Sequence, residues 1–302
     1  MIRAGAQPLD SVRLAENAAL TPCYICGIDN TGDSELCRRC FAPMALAHQA
    51  RTHKTRPQVL AAIGGSSVGK TVYLGMLIDM LSRQADRIHV QARGAFSINL
   101  QQSTALALAR GEFPAKTPTE ADRWNWVHCQ TRAAGRKAPL ELIMTDLAGE
   151  ALYEEIDHPY THEVIRPLLS KCAGALVLID TVKLQTGSLD QDYFTMKLLS
   201  YLAELDGDGR QGWAGRPIAF VLTKADECEE CFANPSRFAQ SRAPGLWSLC
   251  QERFRKFSYF AAGVAGGCAF RNSREGRIRV PLRIEPRGIV EPFDWLVKQL
   301  KS

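Results

Sequence analysis

The chain has 302 residues, 46% hydrophobic and 23% charged, with a formal net charge of +5, which allows one full α/β core and a small appended module. So modest a charge over this length does not point to nucleic acid or a membrane surface without a local basic cluster. No run approaches the roughly 20 apolar residues of a bilayer span, and the first residues lack a signal's apolar core, so a cytoplasmic protein with reduced cysteines is expected.

Residues 1–20 read as a small, polar N-terminal segment. In residues 21–42, Cys23-Tyr-Ile-Cys26 and Cys37-Arg-Arg-Cys40 are two Cys-x-x-Cys knuckles separated by ten residues. Four thiolates at this spacing suit a tetrahedral structural Zn²⁺ site, and disulfides are disfavoured in a reducing compartment. So short a segment has almost no core, so its fold is expected to depend on the metal. Asp29, Asp33 and Glu35 outweigh Arg38 and Arg39, which suits protein docking better than phosphate-backbone binding. Residues 43–56 read as a basic, helical linker, and Pro57 marks the boundary of the main domain.

That domain, residues 57–302, opens with the apolar strand Val59–Ile63, a glycine-rich turn, and a helix from Thr71. A helix over residues 94–111 follows, then a Pro/Thr-rich loop, Phe113–Thr119. Trp124–Thr131 and Leu140–Thr145 read as an antiparallel pair joined by residues 132–139. Ala175–Ile179, Ile218–Leu222 and Tyr259–Gly263 are apolar runs of the kind buried on both faces of a parallel sheet. Arg277–Ile284 reads as a further strand and Glu291–Leu300 as a closing amphipathic helix. With the glycine-rich turn Gly64–Thr71 between its first strand and helix, the expected fold is α/β and resembles the three-layer sandwich of a P-loop NTPase with a mostly parallel sheet, preceded by a small zinc-ribbon module.

Gly64-Gly65-Ser66-Ser67-Val68-Gly69-Lys70-Thr71 lies between that first strand and its helix. A polyphosphate needs several backbone N–H donors close together, which a glycine-rich turn at a helix N-terminus supplies. Lys70 is then expected to reach the β- and γ-phosphates, and the Thr71 hydroxyl to ligate Mg²⁺.

Two further stretches lie at strand ends: Leu140-Glu-Leu-Ile-Met-Thr-Asp146-Leu-Ala-Gly149-Glu150 and Ile218-Ala-Phe-Val-Leu-Thr223-Lys224-Ala-Asp226. The first resembles the Asp-x-x-Gly element of GTPases, which implies Asp146 near Mg²⁺ and the Gly149 amide at the γ-phosphate. The second resembles their Asn-Lys-x-Asp element, which implies that Asp226 accepts from the guanine N1–H and N2–H₂ groups while the Lys224 stem lies along the base. Adenine lacks that pair of donors and would leave the carboxylate unpaired, at a cost of roughly 1–3 kcal/mol. Thr223 stands where the resemblance expects Asn, an exchange expected to lessen bracing of the phosphate loop. The last base-contacting element is assigned to Gly263-Val264, where only a backbone N–H is required.

With these elements in order, residues 57–302 resemble the Ras-like GTPases, and specifically the double-GTPase type of prokaryotic conflict systems. The Gly-Lys-Thr-Val-Tyr-Leu continuation, the Pro-x-x-Thr-Pro loop and the closing Pro-Arg-Gly-Ile-Val-Glu-Pro-Phe-Asp-Trp-Leu segment carry the narrower resemblance. It implies a GTP/GDP switch that acts with a second GTPase and effector proteins in a defence-like system, while the charge and the lack of apolar spans lead us to expect neither membrane nor nucleic-acid partners. It further implies a threonine of the first mobile loop on Mg²⁺: Thr117, with Thr119 as the alternative.

Glu150 occupies the position where many relatives have a water-orienting Gln; its charge near the γ-phosphate predicts slow intrinsic turnover. Ser66 is expected to crowd an inserted arginine finger. Arg123 and Arg166 are candidate charge stabilisers. Cys228 and Cys231 are half of a metal motif with no second half, and Cys129, Cys172, Cys250 and Cys268 read as buried structural thiols. Two rival functions stay open: an ATP-dependent P-loop enzyme, and a nucleic-acid-binding zinc protein using the arginines between Arg271 and Arg287.

Overall fold

The computed structural model describes residues 20–52, 57–83, 89–92, 95–132, 140–205, 212–273 and 276–300. The N-terminal segment to residue 19, the last residues of the expected linker, the connection over residues 133–139 and Arg274 lie outside the described residues. The chain forms two compact units, residues 1–55 and 56–302.

In the first unit, β1 (Thr21–Pro22) pairs antiparallel with β2 (Asp29–Asn30), and α1 (Met44–Thr52) follows. Met44, Leu46, Ala47 and Ala50 of α1 are buried, and Arg51 donates to Thr21 Oγ1 at 2.9 Å. The stretch expected to be a linker thus packs as part of this unit: its apolar residues follow helical spacing and need a surface to cover them.

The second unit is built on a seven-stranded sheet. Its strands are β3 (Gln58–Gly64), β4 (His89–Ala92), β5 (Asn125–Arg132), β6 (Leu140–Asp146), β7 (Gly174–Asp180), β8 (Ile218–Thr223) and β9 (Phe257–Ala261), in the order β4-β5-β6-β3-β7-β8-β9. The pairs from β6 through β9 are parallel, while β4–β5 and β5–β6 are antiparallel. β4, which sequence periodicity did not disclose, extends the antiparallel end.

Apolar side chains cover both faces, so alternate residues serve opposite layers. Leu60 and Ala62, Leu142 and Met144, Leu176 and Leu178, and Ala219 and Val221 share one core. That core is completed by Leu74 and Leu77 of α2 (Lys70–Arg83), Leu100 of α3 (Ala95–Ala109) and Phe293 and Leu296 of a closing helix, residues 291–299. The opposite layer holds α4 (Gly149–Asp157), α5 (Ile165–Lys171), α6 (Thr181–Gln185) and α7 (Leu189–Glu204), of which α4 and α5 contact β3 and α7 contacts β7. α8 (Glu229–Ala233), α9 (Pro235–Arg242) and α10 (Pro244–Arg253) lead into β9.

After β9 the chain departs from the expected pattern. The strand expected to run through Gly263 ends at Ala261, and Gly263 instead begins β10 (Gly263–Ala265), which pairs with β13 (Ile284–Arg287). The single strand expected over Arg277–Ile284 is two: β12 (Gly276–Pro281), paired antiparallel with β11 (Cys268–Ser273), and β13. Pro281 lacks the N–H needed to carry the ladder further, which favours the break there. The closing helix becomes α11 (Glu291–Gln299).

The parallel register brings the carboxyl ends of the central strands together: Ala62 pairs with Asp146, Gly64 with Leu178, and Asp180 with Thr223. Crevices outside those ends are where open α/β sheets hold ligands.

Candidate functional site

β3 ends in Gly64, whose φ is +155° and whose position leaves no room for a Cβ against the Leu178 carbonyl. Ser67 and Gly69 also have positive φ, 61° and 93°, so the turn from Gly64 to Gly69 wraps back to start α2 with Lys70. Lys70 is buried, and its Nζ donates to the Gly64 carbonyl at 3.0 Å and the Gly65 carbonyl at 2.8 Å. Burial lowers its pKa to about 8, with the charges of Asp146 and Glu150 working in the opposite direction.

At the end of β6, Asp146 is buried, and its Oδ2 accepts from Thr71 Oγ1 at 2.7 Å, Thr117 Oγ1 at 2.8 Å and Asn125 Nδ2 at 3.3 Å. Thr71 and Thr117 are 3.0 Å apart. Asp146 Oδ1 is buried without a hydrogen-bond partner. Two hydroxyls and one carboxylate, whose Oδ1 is unsatisfied, form an all-oxygen donor set of the kind a hard divalent cation takes. Thr117 is drawn into this cluster; Thr119 is not among the residues lining the adjoining cavity.

Gly149 opens α4 directly against the turn: a Cβ there would sit 2.5 Å from the Gly65 carbonyl carbon and the Ser66 nitrogen. Glu150, the next residue, accepts from Ser66 Oγ at 2.9 Å and Lys116 Nζ at 3.3 Å. Those partners, Ser66 first, hold its carboxyl below the usual range. Ser66 and Lys116, far apart in the chain, are thus joined through one carboxylate oxygen.

The other end of the site is built from β8 and the chain beyond β9. Thr223 Oγ1 lies 2.7 Å from the Val68 carbonyl and 3.0 Å from that of Ile179. Thr in place of Asn is expected to lessen bracing of the phosphate loop; its hydroxyl nonetheless reaches the loop carbonyl directly. Lys224 adopts a left-handed φ of 55° and pairs through Nζ with Asp180 Oδ2 at 2.6 Å. Asp180 Oδ1 in turn accepts from Val182 N and Lys183 N at the start of α6. Burial raises the Asp226 pKa to about 6. Gly263 lies so close to Asp226 that a Cβ would collide with Oδ1.

Many of these groups line one cavity of about 270 Å³. Ser66 to Thr71, Lys116, Thr117, Gly149 and Glu150 surround one part, and Thr223, Lys224, Asp226, Gly263 and Val264 another. Phe113, Cys268 and Arg279 also line it, so Cys268 is not the wholly buried thiol expected. Arg123 is exposed, and neither it nor Arg166, which lies over the Tyr160 ring at 5.5 Å, lines the cavity.

Several participants were not singled out from the sequence. Asp180 ends an apolar strand as Asp146 does, a pattern that marked only one of them. Asn125 and Lys116 adjoin Trp124 and Thr117 without a motif of their own. Arg279 reaches the site from a distant hairpin. The arginine-rich stretch is largely neutralised: Arg271 pairs with Glu112, Arg279 with Glu227, Arg283 with Glu285 and Arg287 with Glu229.

In the first unit, the Sγ atoms of Cys23, Cys26, Cys37 and Cys40 all lie within 4.8 Å of one another. Cys23–Cys40 and Cys26–Cys37 are each 3.5 Å apart, near the roughly 3.8 Å edge of a tetrahedron with 2.3 Å zinc–sulfur bonds. Ile25 N and Asn30 Nδ2 approach the Cys23 and Cys37 sulfurs at 3.4 and 3.7 Å, as donors to thiolates would. This is the only such cluster among the described residues. Cys228 and Cys231 are buried thiols outside it.

A glycine-rich turn between β3 and α2, with converging groups at the carboxyl ends of a parallel sheet, defines a P-loop nucleotide-binding domain. The model of the Double-GTPase 2 family matches residues 58–260, and the chain belongs to that family. No curated protein matched the sequence. Among solved structures, it is similar to the GTPase-like domain of Saccharomyces cerevisiae Ski7 bound to GDP and inorganic phosphate. That pair has 14% identity and a TM-score of 0.38, covering 68% of this chain and 43% of that one. It is also similar to Methanosarcina barkeri Roco2 RocCORdC bound to GDP, at 16% identity and a TM-score of 0.32, covering 80% of this chain and 48% of that one. The chain thus spans less than half of either structure, and at these TM-scores neither likeness adds to the family assignment. Among the described residues, no helix is long and apolar enough to cross a membrane.

Proposed function

We propose that this protein is a GTP-binding and GTP-hydrolysing molecular switch that regulates partner proteins, a second GTPase and effectors among them, in a bacterial defence-type system. The observation that carries the nucleotide reading is the meeting of Thr71 and Thr117 on Asp146 Oδ2, at 2.7 and 2.8 Å, in the cavity that Asp226 also lines. The phosphates take the N–H groups of the turn from Gly64 to Thr71 and the Lys70 ammonium. Guanine takes Asp226 and Lys224, with a backbone N–H from Gly263 or Val264.

Thr71, Thr117 and Asp146 would hold Mg²⁺, whose charge neutralises the phosphate oxygens. The Gly149 amide senses the γ-phosphate, and loss of that group releases the loops carrying Thr117 and Glu150. Tying Glu150 to Ser66 and Lys116 leaves it poorly disposed to orient water, consistent with slow intrinsic turnover. The four-cysteine module is a Zn²⁺-dependent docking element.

Comparing GDP with ADP affinity in Mg²⁺, for the unmodified protein and Asp226→Asn, tests the base assignment. GDP is expected to win by at least tenfold. Asp226→Asn should weaken GDP while improving xanthosine diphosphate, whose C2 carbonyl accepts from an amide. Equal GDP and ADP affinities in the unmodified protein would overturn the guanine reading.

A further inference from the structure

We infer that Arg279 is a base-reading residue: its guanidinium takes the O6/N7 acceptor edge of the guanine whose N1–H and N2–H₂ groups go to Asp226. The inference rests on the proposed guanine specificity and adds a second, oppositely charged reader to the site. Arg279 lies on β12, C-terminal to residues 58–260 matched by the family model. The β11–β12 hairpin nevertheless supplies two groups to the cavity, Cys268 and Arg279.

Arg279 is held beside the base end. Its Nη2 donates to Glu227 Oε1 at 3.2 Å, on the residue next to Asp226. Its side chain lines the cavity together with Cys268 of the same hairpin and Asp226. Asp226 also lies against Gly263, at the start of the segment that leads through Ala265 into the hairpin. The neighbouring arginines are paired with carboxylates as Arg279 is, but Arg271, Arg283 and Arg287, with Glu112, Glu285 and Glu229, do not line the cavity.

Guanine O6 adjoins N1, so a donor beside the carboxylate that reads N1–H is placed to meet O6. An arginine fork matches O6 and N7 together. With five N–H donors, Arg279 can keep Glu227 and still offer a pair to the base. Adenine fails both readers, because it presents an amino donor to Arg279 and lacks the N1–H and N2–H₂ donors for Asp226. A carboxylate whose burial disfavours its charge also gains from a cation held nearby.

The test titrates the full-length protein in Mg²⁺ with GDP, 7-deaza-GDP, which lacks the N7 acceptor, 2′-deoxy-GDP and ADP. Unmodified protein is compared with Arg279→Ala, Arg279→Gln and Glu227→Gln, with thermal unfolding recorded for each. Arg279→Gln retains a donor for Glu227 and so keeps the hairpin closed if Arg279→Ala does not. In the unmodified protein, 7-deaza-GDP is expected to bind roughly tenfold more weakly than GDP. Both Arg279 variants should weaken GDP by about tenfold or more and erase that difference, while Glu227→Gln preserves it. An unchanged GDP to 7-deaza-GDP ratio in Arg279→Gln, equal binding of the two by the unmodified protein, or a loss that tracks 2′-deoxy-GDP would each overturn the role of Arg279. Equal GDP and ADP affinity in the unmodified protein would instead remove the guanine reading itself.

Discussion

Two carboxylates in the cavity differ in ways that predict different behaviour. Glu150 is exposed, tied to Ser66 and Lys116, and held below the usual carboxyl range by them. At neutral pH it therefore places a full negative charge where the γ-phosphate is proposed to lie. Glu150→Gln removes that charge and frees Lys116, so single-turnover GTP hydrolysis should rise several-fold, on the order of 1 kcal/mol in barrier; an unchanged or slower rate would count against this account. Asp226 is raised by burial to about 6. Guanine needs the ionised form, so GDP affinity should be level above that pH and fall roughly tenfold per unit below it. Isothermal titration across pH 5 to 8 (~3 units) is the check, and the inflection should vanish in Asp226→Asn. The same shift has a stability consequence of opposite direction. A folded-state value above the ordinary 3.8 means that the nucleotide-free domain loses stability as the pH rises from that value to about 6.

At the scale of elements, the start of α4 is tightly constrained. Gly149 meets the Gly65–Ser66 backbone with no space for a methyl group, so Gly149→Ala must displace either the phosphate loop or the start of α4. We expect it to weaken GTP at least tenfold and to lower unfolding stability by about 1–3 kcal/mol, measured by denaturant titration. How much of the site and fold is legible in the sequence depends on whether an element's chemistry lies within a short stretch of chain. The turn from Gly64 to Thr71 and the strand ends at Asp146 and Asp226 are readable because apolar run, turn residue and functional group are contiguous. Thr117 cannot be separated from Thr119 by sequence, since either side chain fits a Pro-rich loop and only the path of that loop brings one to Asp146. Asp180 escapes notice because an acid ending an apolar strand is also an ordinary helix cap, a role that it fills with its other oxygen. β4 is short, and Arg279 belongs to a hairpin that folds back on a site more than fifty residues earlier in the chain.

For the whole molecule, the two units owe their stability to different physics. Residues 56–302 enclose a large apolar core on both faces of a sheet, whereas the first unit has a single buried helix face and four clustered sulfurs. One zinc per chain is therefore expected by elemental analysis, falling to near zero in Cys23→Ser or after a strong chelator. Amide exchange should then rise across residues 20–52 while nucleotide affinity of the larger unit changes little; retained protection without metal would refute the dependence. Within the larger unit, Thr223 has a consequence of another kind. Its hydroxyl lies against both the phosphate turn and the end of β7, just before the Lys224–Asp180 pair. One hydroxyl thereby fastens the two ends of the cavity to each other, so on the proposed placement of the nucleotide a base and a phosphate tail would press on the same piece of backbone.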